Sequence, residues 1–154
     1  MGNTGKRVLL ISGPNVSLIG KRETEIYGTD TLDDIEQMVS TDAENHGFEV
    51  ECFRSESEGE IISYIQEHGP KAAGVIINPG ALTHYSIALR DCIAYIKRPV
   101  VEVHVSNLHK REEFRRHSVI APVCDGQVTG LGRCGYFGAL HYIMEKVEHG
   151  EKDL

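Results

Sequence analysis

The segment Ala72-Ala73-Gly74-Val75-Ile76-Ile77 is a continuous apolar run of strand length with no polar position to turn toward solvent. A strand with one wet face would alternate, so an unbroken run predicts a central strand of a parallel sheet, covered on both faces. The rest of the chain repeats the rhythm. Arg7 to Ser12 predicts a first strand, Phe48 to Phe53 a half-buried or edge strand, Pro99 opens a fourth that runs through Val105, and Val123 to Thr129 holds a fifth.

Helical patterns lie between these runs. Thr31 caps a helix whose Asp33 and Asp34 suit its positive end, with Leu32, Ile35, Met38 and Val39 on one face and Gly47 as its stop. A second carries Ile61, Ile62 and Ile65 before Gly69-Pro70, a third runs from about His84 to Ile96, Lys110 to Arg116 forms a short basic helix, and Gly138 to Val147 closes the chain. Alternation of this kind predicts an α/β three-layer sandwich with right-handed crossovers: a flavodoxin-like, five-stranded parallel sheet in the order 2-1-3-4-5. At 154 residues the expectation is one domain over 1–154, with about 1–6 and 149–154 as flexible tails.

Charge and composition exclude several classes. A formal net charge of -7 argues against nonspecific nucleic-acid binding, although a local basic cluster can still hold a small anion. No apolar stretch approaches a membrane span and the opening residues are too short for a signal peptide, so a cytoplasmic protein without membrane contact is expected. Met1-Gly2-Asn3 is only a weak myristoylation lookalike. Cys52, Cys92, Cys124 and Cys134 are far apart, with no C-x-x-C pair, and are expected to be reduced thiols that bind no metal.

In open parallel sheets ligands bind beyond the carboxyl ends of the strands. Strand one exits there into Gly13-Pro14-Asn15, strand three into Asn78-Pro79-Gly80-Ala81, and strand four into His104-Val105-Ser106-Asn107. Singly, such Asn and Gly residues read as turn formers; together Asn15, Asn78 and His104 converge on one edge. On strand four, Val101, Val103 and Val105 face one way while Glu102 and His104 face the other from a covered strand. A buried carboxylate needs a partner, so Glu102 can orient the imidazole and favour its protonated form, which makes His104 a credible general acid; a satisfied pair that only braces the core is the alternative.

The charged segment Gly20 to Gly28 has the composition of a mobile lid over the same edge. A phenolate at Tyr27 could act as base if Arg22 stabilised it, but by spacing alone both residues read as ordinary surface positions. His84 and Asp91 are predicted on one face of the third helix, with His84 near the site. Arg111 and Arg115, four apart, form either a fork for a carboxylate or phosphate or a solvated charged face. There is no P-loop, no dinucleotide fingerprint after strand one and no nucleophile elbow, and no lysine sits in an apolar strand where Schiff-base chemistry would be favoured. Gly130 to Gly135 matches G-x-G-x-x-G but has no following strand, and reads as tight packing. Acid-base catalysis without a cofactor is the chemistry that remains.

Across nearly its whole length the sequence resembles the type II 3-dehydroquinate dehydratases. The resemblance rests on Gly13-Pro14-Asn15 with Gly20-Lys21-Arg22-Glu23 and Ile26-Tyr27-Gly28, on Asn78-Pro79-Gly80-Ala81-Leu82-Thr83-His84, on Glu102-Val103-His104-Val105-Ser106-Asn107, and on Arg111-Glu112-Glu113-Phe114-Arg115. It implies a hydro-lyase that converts 3-dehydroquinate to 3-dehydroshikimate by anti elimination through an enolate, without Schiff base or cofactor, in the shikimate pathway (aromatic amino acid biosynthesis) or in quinate metabolism. It further implies that Tyr27 is the base with Arg22 holding its phenolate, that His104 oriented by Glu102 is the acid, and that Asn15 holds a water at the enolate oxygen. Asn78 would position His104 and substrate, while His84, Arg115 and the backbone at Val105 and Ser106 would bind hydroxyls and carboxylate. The counterpart of Asp91 reaches a neighbouring site, which implies a homododecamer built from trimers. Ser12, Val16-Ser17, Thr24 and Tyr85 depart from the family pattern, and Thr24 in place of a lid Pro predicts a looser lid. Two rival expectations are another cofactor-free lyase or isomerase with the same dyad, and a noncatalytic flavodoxin-like binding module.

Overall fold

The computed structural model describes residues 4–21, 24–27 and 29–150, with the side chains of Thr4 and Tyr27 left out. Its centre is a five-stranded, all-parallel sheet in the order β2-β1-β3-β4-β5, as expected for a flavodoxin-like α/β fold. The strands are β1 (Arg7–Ser12), β2 (Glu49–Arg54), β3 (Gly74–Asn78), β4 (Val100–His104) and β5 (Gly126–Thr129). The longer helices are α2 (Leu32–Asn45), α3 (Glu58–His68), α4 (Ile87–Ile96) and α5 (Cys134–His149), preceded by a single helical turn, α1 (Thr24–Tyr27).

Burial follows the sequence logic. Every residue of β3 and β4 is buried, because helices cover both faces, whereas β2 and β5 form the edges and remain partly wet. On one face Val8, Leu10, Ile76 and Val103 pack against Ile35 and Val39 of α2 and Leu140 and Ile143 of α5. On the other, Leu9, Ile11, Val75 and Ile77 pack against Ile61 and Ile65 of α3 and Leu89 and Ile93 of α4. Adjacent residues of a strand thus serve opposite layers, the consequence of a two-residue side-chain period.

The helix ends have local causes. Thr31 and Asp34 form a reciprocal capping box, which fixes the start of α2, and Gly47 at φ +80° turns the chain out after it. Ser86 accepts from the Leu89 amide, so α4 begins at Ile87 and not near His84. His84 instead ends a 3-10 turn over Gly80–His84, and the expected common helix face with Asp91 does not form. The expected basic helix from Lys110 to Arg116 is likewise two 3-10 turns, Leu108–Lys110 and Glu113–Arg116, because extended Arg111 interrupts it while its Nη1 donates to Ser106 Oγ.

Ala121-Pro122-Val123 also takes a 3-10 turn, since Pro122 has no amide for a ladder, and β5 starts only at Gly126. The tight packing expected of the late glycines is found at Gly135, where a Cβ would stand 3.2 Å from Val128 and 3.3 Å from Val103, and α5 already starts at Cys134. The N-terminal tail expected through residue 6 includes a 3-10 turn over Thr4–Lys6. No helix among the described residues is long and apolar enough to cross a membrane.

Candidate active site

β4 carries a buried carboxylate with four hydrogen-bond donors around it. Glu102 is fully buried, and His104 is only 5% exposed. An ionised carboxylate can only accept, so the short contact between His104 Nε2 and Glu102 Oε2 has the imidazole as donor. The same oxygen accepts from Thr83 Oγ1 and from Gln127 Nε2 at 3.0 Å, while Oε1 accepts from Ser118 Oγ at 2.8 Å. Burial pushes the Glu102 carboxyl up, but the hydrogen bond and charge of His104, with the Thr83 and Gln127 donors, outweigh it and hold the group below the usual carboxylate range. A charged Glu102 therefore pins the ring and leaves His104 Nδ1 as the nitrogen available to the cavity beyond the strand.

The loops after β1 and β3 meet at that cavity. A Cβ on Gly13 would lie 2.6 Å from the Pro79 carbonyl oxygen, and one on Gly80, at φ +60°, 2.5 Å from that of Pro14. Only glycine lets these two backbones approach so closely. Asn15 is held in the left-handed region at φ 68°, where a non-glycine residue is strained, and its amide donates to Glu56 Oε2 at 2.7 Å. Asn78 is buried at the end of β3, where its Nδ2 donates to the Tyr136 hydroxyl at 3.1 Å and its Oδ1 accepts from the Gly80 amide. Tyr136 is itself fully buried, and burial pushes its phenol up to about 12, so it stays neutral.

His84 Nδ1 donates to the His117 carbonyl at 2.8 Å, which leaves Nε2 as the ring nitrogen that this bond does not use. Arg115 lies over the Phe114 ring, 4.9 Å from its centroid, with Nε donating to both oxygens of Glu112 at 3.2 Å. Together these segments enclose about 390 Å³, a volume suited to a small metabolite. Asn15, Asn78, His84, His104, Val105, Ser106 and Arg115 all line it, with Arg111 and with Leu18, Ile19 and Ile26 as an apolar wall. Glu102 stands behind His104 and not on the wall, and Asp91 lies away from the cavity on the exposed side of α4. Arg22 lies outside the described residues, as does the Tyr27 side chain; the adjacent Ile26 places α1 at the cavity rim.

Four groups were not singled out from the sequence. Thr83, Ser118 and Gln127 supply the donors to Glu102, and Tyr136 holds Asn78. Gln127 had a usable signal, because it is the direct cross-strand neighbour of Glu102 once β4 and β5 are in register. Thr83 sits in the 3-10 turn over Gly80–His84 and Ser118 in an irregular segment, where their hydroxyls look like ordinary loop polarity.

The fold and cavity define a class: a flavodoxin-like α/β protein with a small-molecule site at the carboxyl edge of its sheet, equipped with a carboxylate-held imidazole. Residues 6–144 match the family described as dehydroquinase class II. A 3-dehydroquinate dehydratase of Halothermothrix orenii is 53% identical over 144 residues, covering 94% of this chain and 97% of the relative, and one of Thermotoga neapolitana is 49% identical over 95% and 99%. The crystal structure of the type II dehydroquinase from Butyrivibrio crossotus superposes with a TM-score of 0.87 at 43% identity, covering 90% of this chain and 97% of that one. The chain belongs to the dehydroquinase class II family of enzymes.

Proposed function

We propose that the enzyme converts 3-dehydroquinate to 3-dehydroshikimate by anti elimination of water through an enolate, without a Schiff base. The observation that carries this reading is the Glu102-His104 pair facing a cavity lined by Asn15, Asn78, His84 and Arg115. Tyr27, as a phenolate held by Arg22, takes the proton alpha to the ketone, and the electron pair moves onto the ketone oxygen as an enolate. Asn15, through a water, stabilises that oxygen. As the enolate collapses the carbon-oxygen bond breaks, and His104 protonates the departing hydroxyl so that water leaves. Glu102 keeps the imidazole oriented, Asn78 positions it against the substrate, and His84, Arg115 and the Val105-Ser106 backbone bind hydroxyls and carboxylate. Cationic side chains around the cavity of an otherwise acidic protein support an anionic substrate, since a cleft focuses local charge.

The same dehydration serves the shikimate pathway or quinate breakdown, and we assign the chain to that step as one catalytic domain in the cytoplasm. We also propose a homododecamer built from trimers, in which Asp91 reaches a neighbouring site. Ile87, Asp91 and Tyr95 follow one another at four-residue spacing on α4, with Ile87 56% and Tyr95 67% exposed, so two uncovered apolar side chains flank the carboxylate on a face suited to a second copy. Sedimentation of a monomer alone would reject the assembly.

The direct test of the reaction is to mix purified protein with 3-dehydroquinate and follow the ultraviolet absorbance of the conjugated enone. A rise is expected, and none at any pH around neutrality would overturn the assignment. Borohydride added with substrate is expected to trap no covalent adduct.

A further inference from the structure

On the face of the molecule formed by α2 and α5, three side chains with metal-binding atoms converge. Asp42 and His46 stand one turn apart near the end of α2, and His141 stands opposite on α5. His141 Nε2 lies 2.7 Å from Asp42 Oδ2, and His46 Nδ1 lies 3.5 Å from Asp42 Oδ1 and 2.8 Å from the Asp42 main-chain oxygen. The two imidazoles face each other nearly at right angles with centroids 5.3 Å apart. One ligand atom from each of the three residues lies within 4.8 Å of the other two.

We infer that Asp42, His46 and His141 form a binding site for a first-row divalent transition metal of the zinc class, which clamps α2 to α5. Two imidazoles and one carboxylate make a borderline-soft donor set that suits Zn²⁺, Co²⁺ or Ni²⁺ and disfavours Mg²⁺ or Ca²⁺. A tetrahedral ion with bonds of about 2.0–2.2 Å holds its ligand atoms roughly 3.3–3.6 Å apart. The observed spread closes to that by small rotations of His46 and His141, whose side chains are about half exposed. On turning to the ion, His46 gives up its 2.8 Å contact with the Asp42 main-chain oxygen, and as exposed ion pairs the existing contacts are weak enough for coordination to replace them. Water completes the fourth position. Because α2 and α5 form one layer over the sheet, the ion ties two distant stretches of chain and favours the folded state by linkage.

The test uses the full chain, stripped with a chelator and titrated with Zn²⁺ alone by calorimetry, with thermal melting in parallel and Co²⁺ as a spectroscopic probe of tetrahedral coordination. The expected result is one saturable equivalent, a rise in melting temperature with Zn²⁺, and at least a tenfold weaker affinity in His46→Ala and in His141→Ala, both surface changes. Saturating Mg²⁺ is expected not to compete. Undiminished Zn²⁺ affinity in both variants would place the ion elsewhere, at the exposed Cys52 or Cys134 for example, and would overturn the inference. Absence of binding at micromolar Zn²⁺, or effective competition by Mg²⁺, would overturn it equally.

Discussion

Glu102 and His104 lie two residues apart on β4, and the carboxylate of the first holds Nε2 of the second while three uncharged donors from Thr83, Ser118 and Gln127 surround it. The pair is a charged group made tolerable inside the protein by complete hydrogen bonding. Glu102→Gln keeps the shape but removes the carboxylate charge beside His104. Turnover is expected to fall by about a hundredfold with little change in KM, measured by steady-state kinetics on 3-dehydroquinate. The folded carboxyl lies below its ordinary range, so its contribution to stability is complete above that range and is lost as pH falls through the lowered value. Denaturation midpoints of the parent should therefore drop in acid more steeply than those of Glu102→Gln.

Thr83 is fully buried, and its hydroxyl is one of three donors on a single Glu102 oxygen. Thr83→Val leaves that carboxylate short of a donor and is expected to lower stability by about 1–3 kcal/mol. Gln127→Ala, at a more exposed site, should lower it less. Because the two share one acceptor, the double variant should depart from additivity by more than about 0.5 kcal/mol in urea unfolding.

Tyr27→Phe removes the proposed base and His104→Ala the proposed acid. Each should lower turnover at least roughly a hundredfold while the circular dichroism spectrum stays native, as loss of a proton-transfer group requires. Near-normal turnover in either variant would reassign that role.

Tyr136 links α5 to the end of β3 through Asn78. Tyr136→Phe leaves the Asn78 amide without its acceptor and is expected to destabilise by about 1–3 kcal/mol. The phenol is raised from 10.0 to about 12 by burial, so the parent keeps its full contribution below pH 10 and loses it as pH rises toward 12. Unfolding measured across that interval should show a fall that Tyr136→Phe lacks.

Much of the fold was legible because its causes are local. The apolar run at β3, the cap at Thr31 and the alternation along β4 each follow from a few neighbouring residues, and the sheet order matches the one they imply. His104 and Glu102 were legible for the same reason, since a two-residue period places both on one face. His84 was found as a cavity residue although its helical setting was wrong, because Ser86 caps α4 and sets its start at Ile87, which leaves His84 in the preceding 3-10 turn. Tyr27 and Arg22 rest on family resemblance alone, as a polar loop has no periodicity to interpret.

What the sequence determined by itself is the strand-helix order, the edge of the sheet where chemistry gathers, and the anomaly of a charged pair on a buried strand. These depend on period, capping and composition, which act over a few residues. Only the tertiary structure decided which groups satisfy Glu102 and which side chains meet between α2 and α5. Thr83, Ser118 and Gln127 reach the carboxylate from 19, 16 and 25 residues away, and His141 reaches Asp42 across 99. Such partnerships are fixed by how layers pack and loops return, and hydrogen-bonding capacity in the sequence does not say where it will be used.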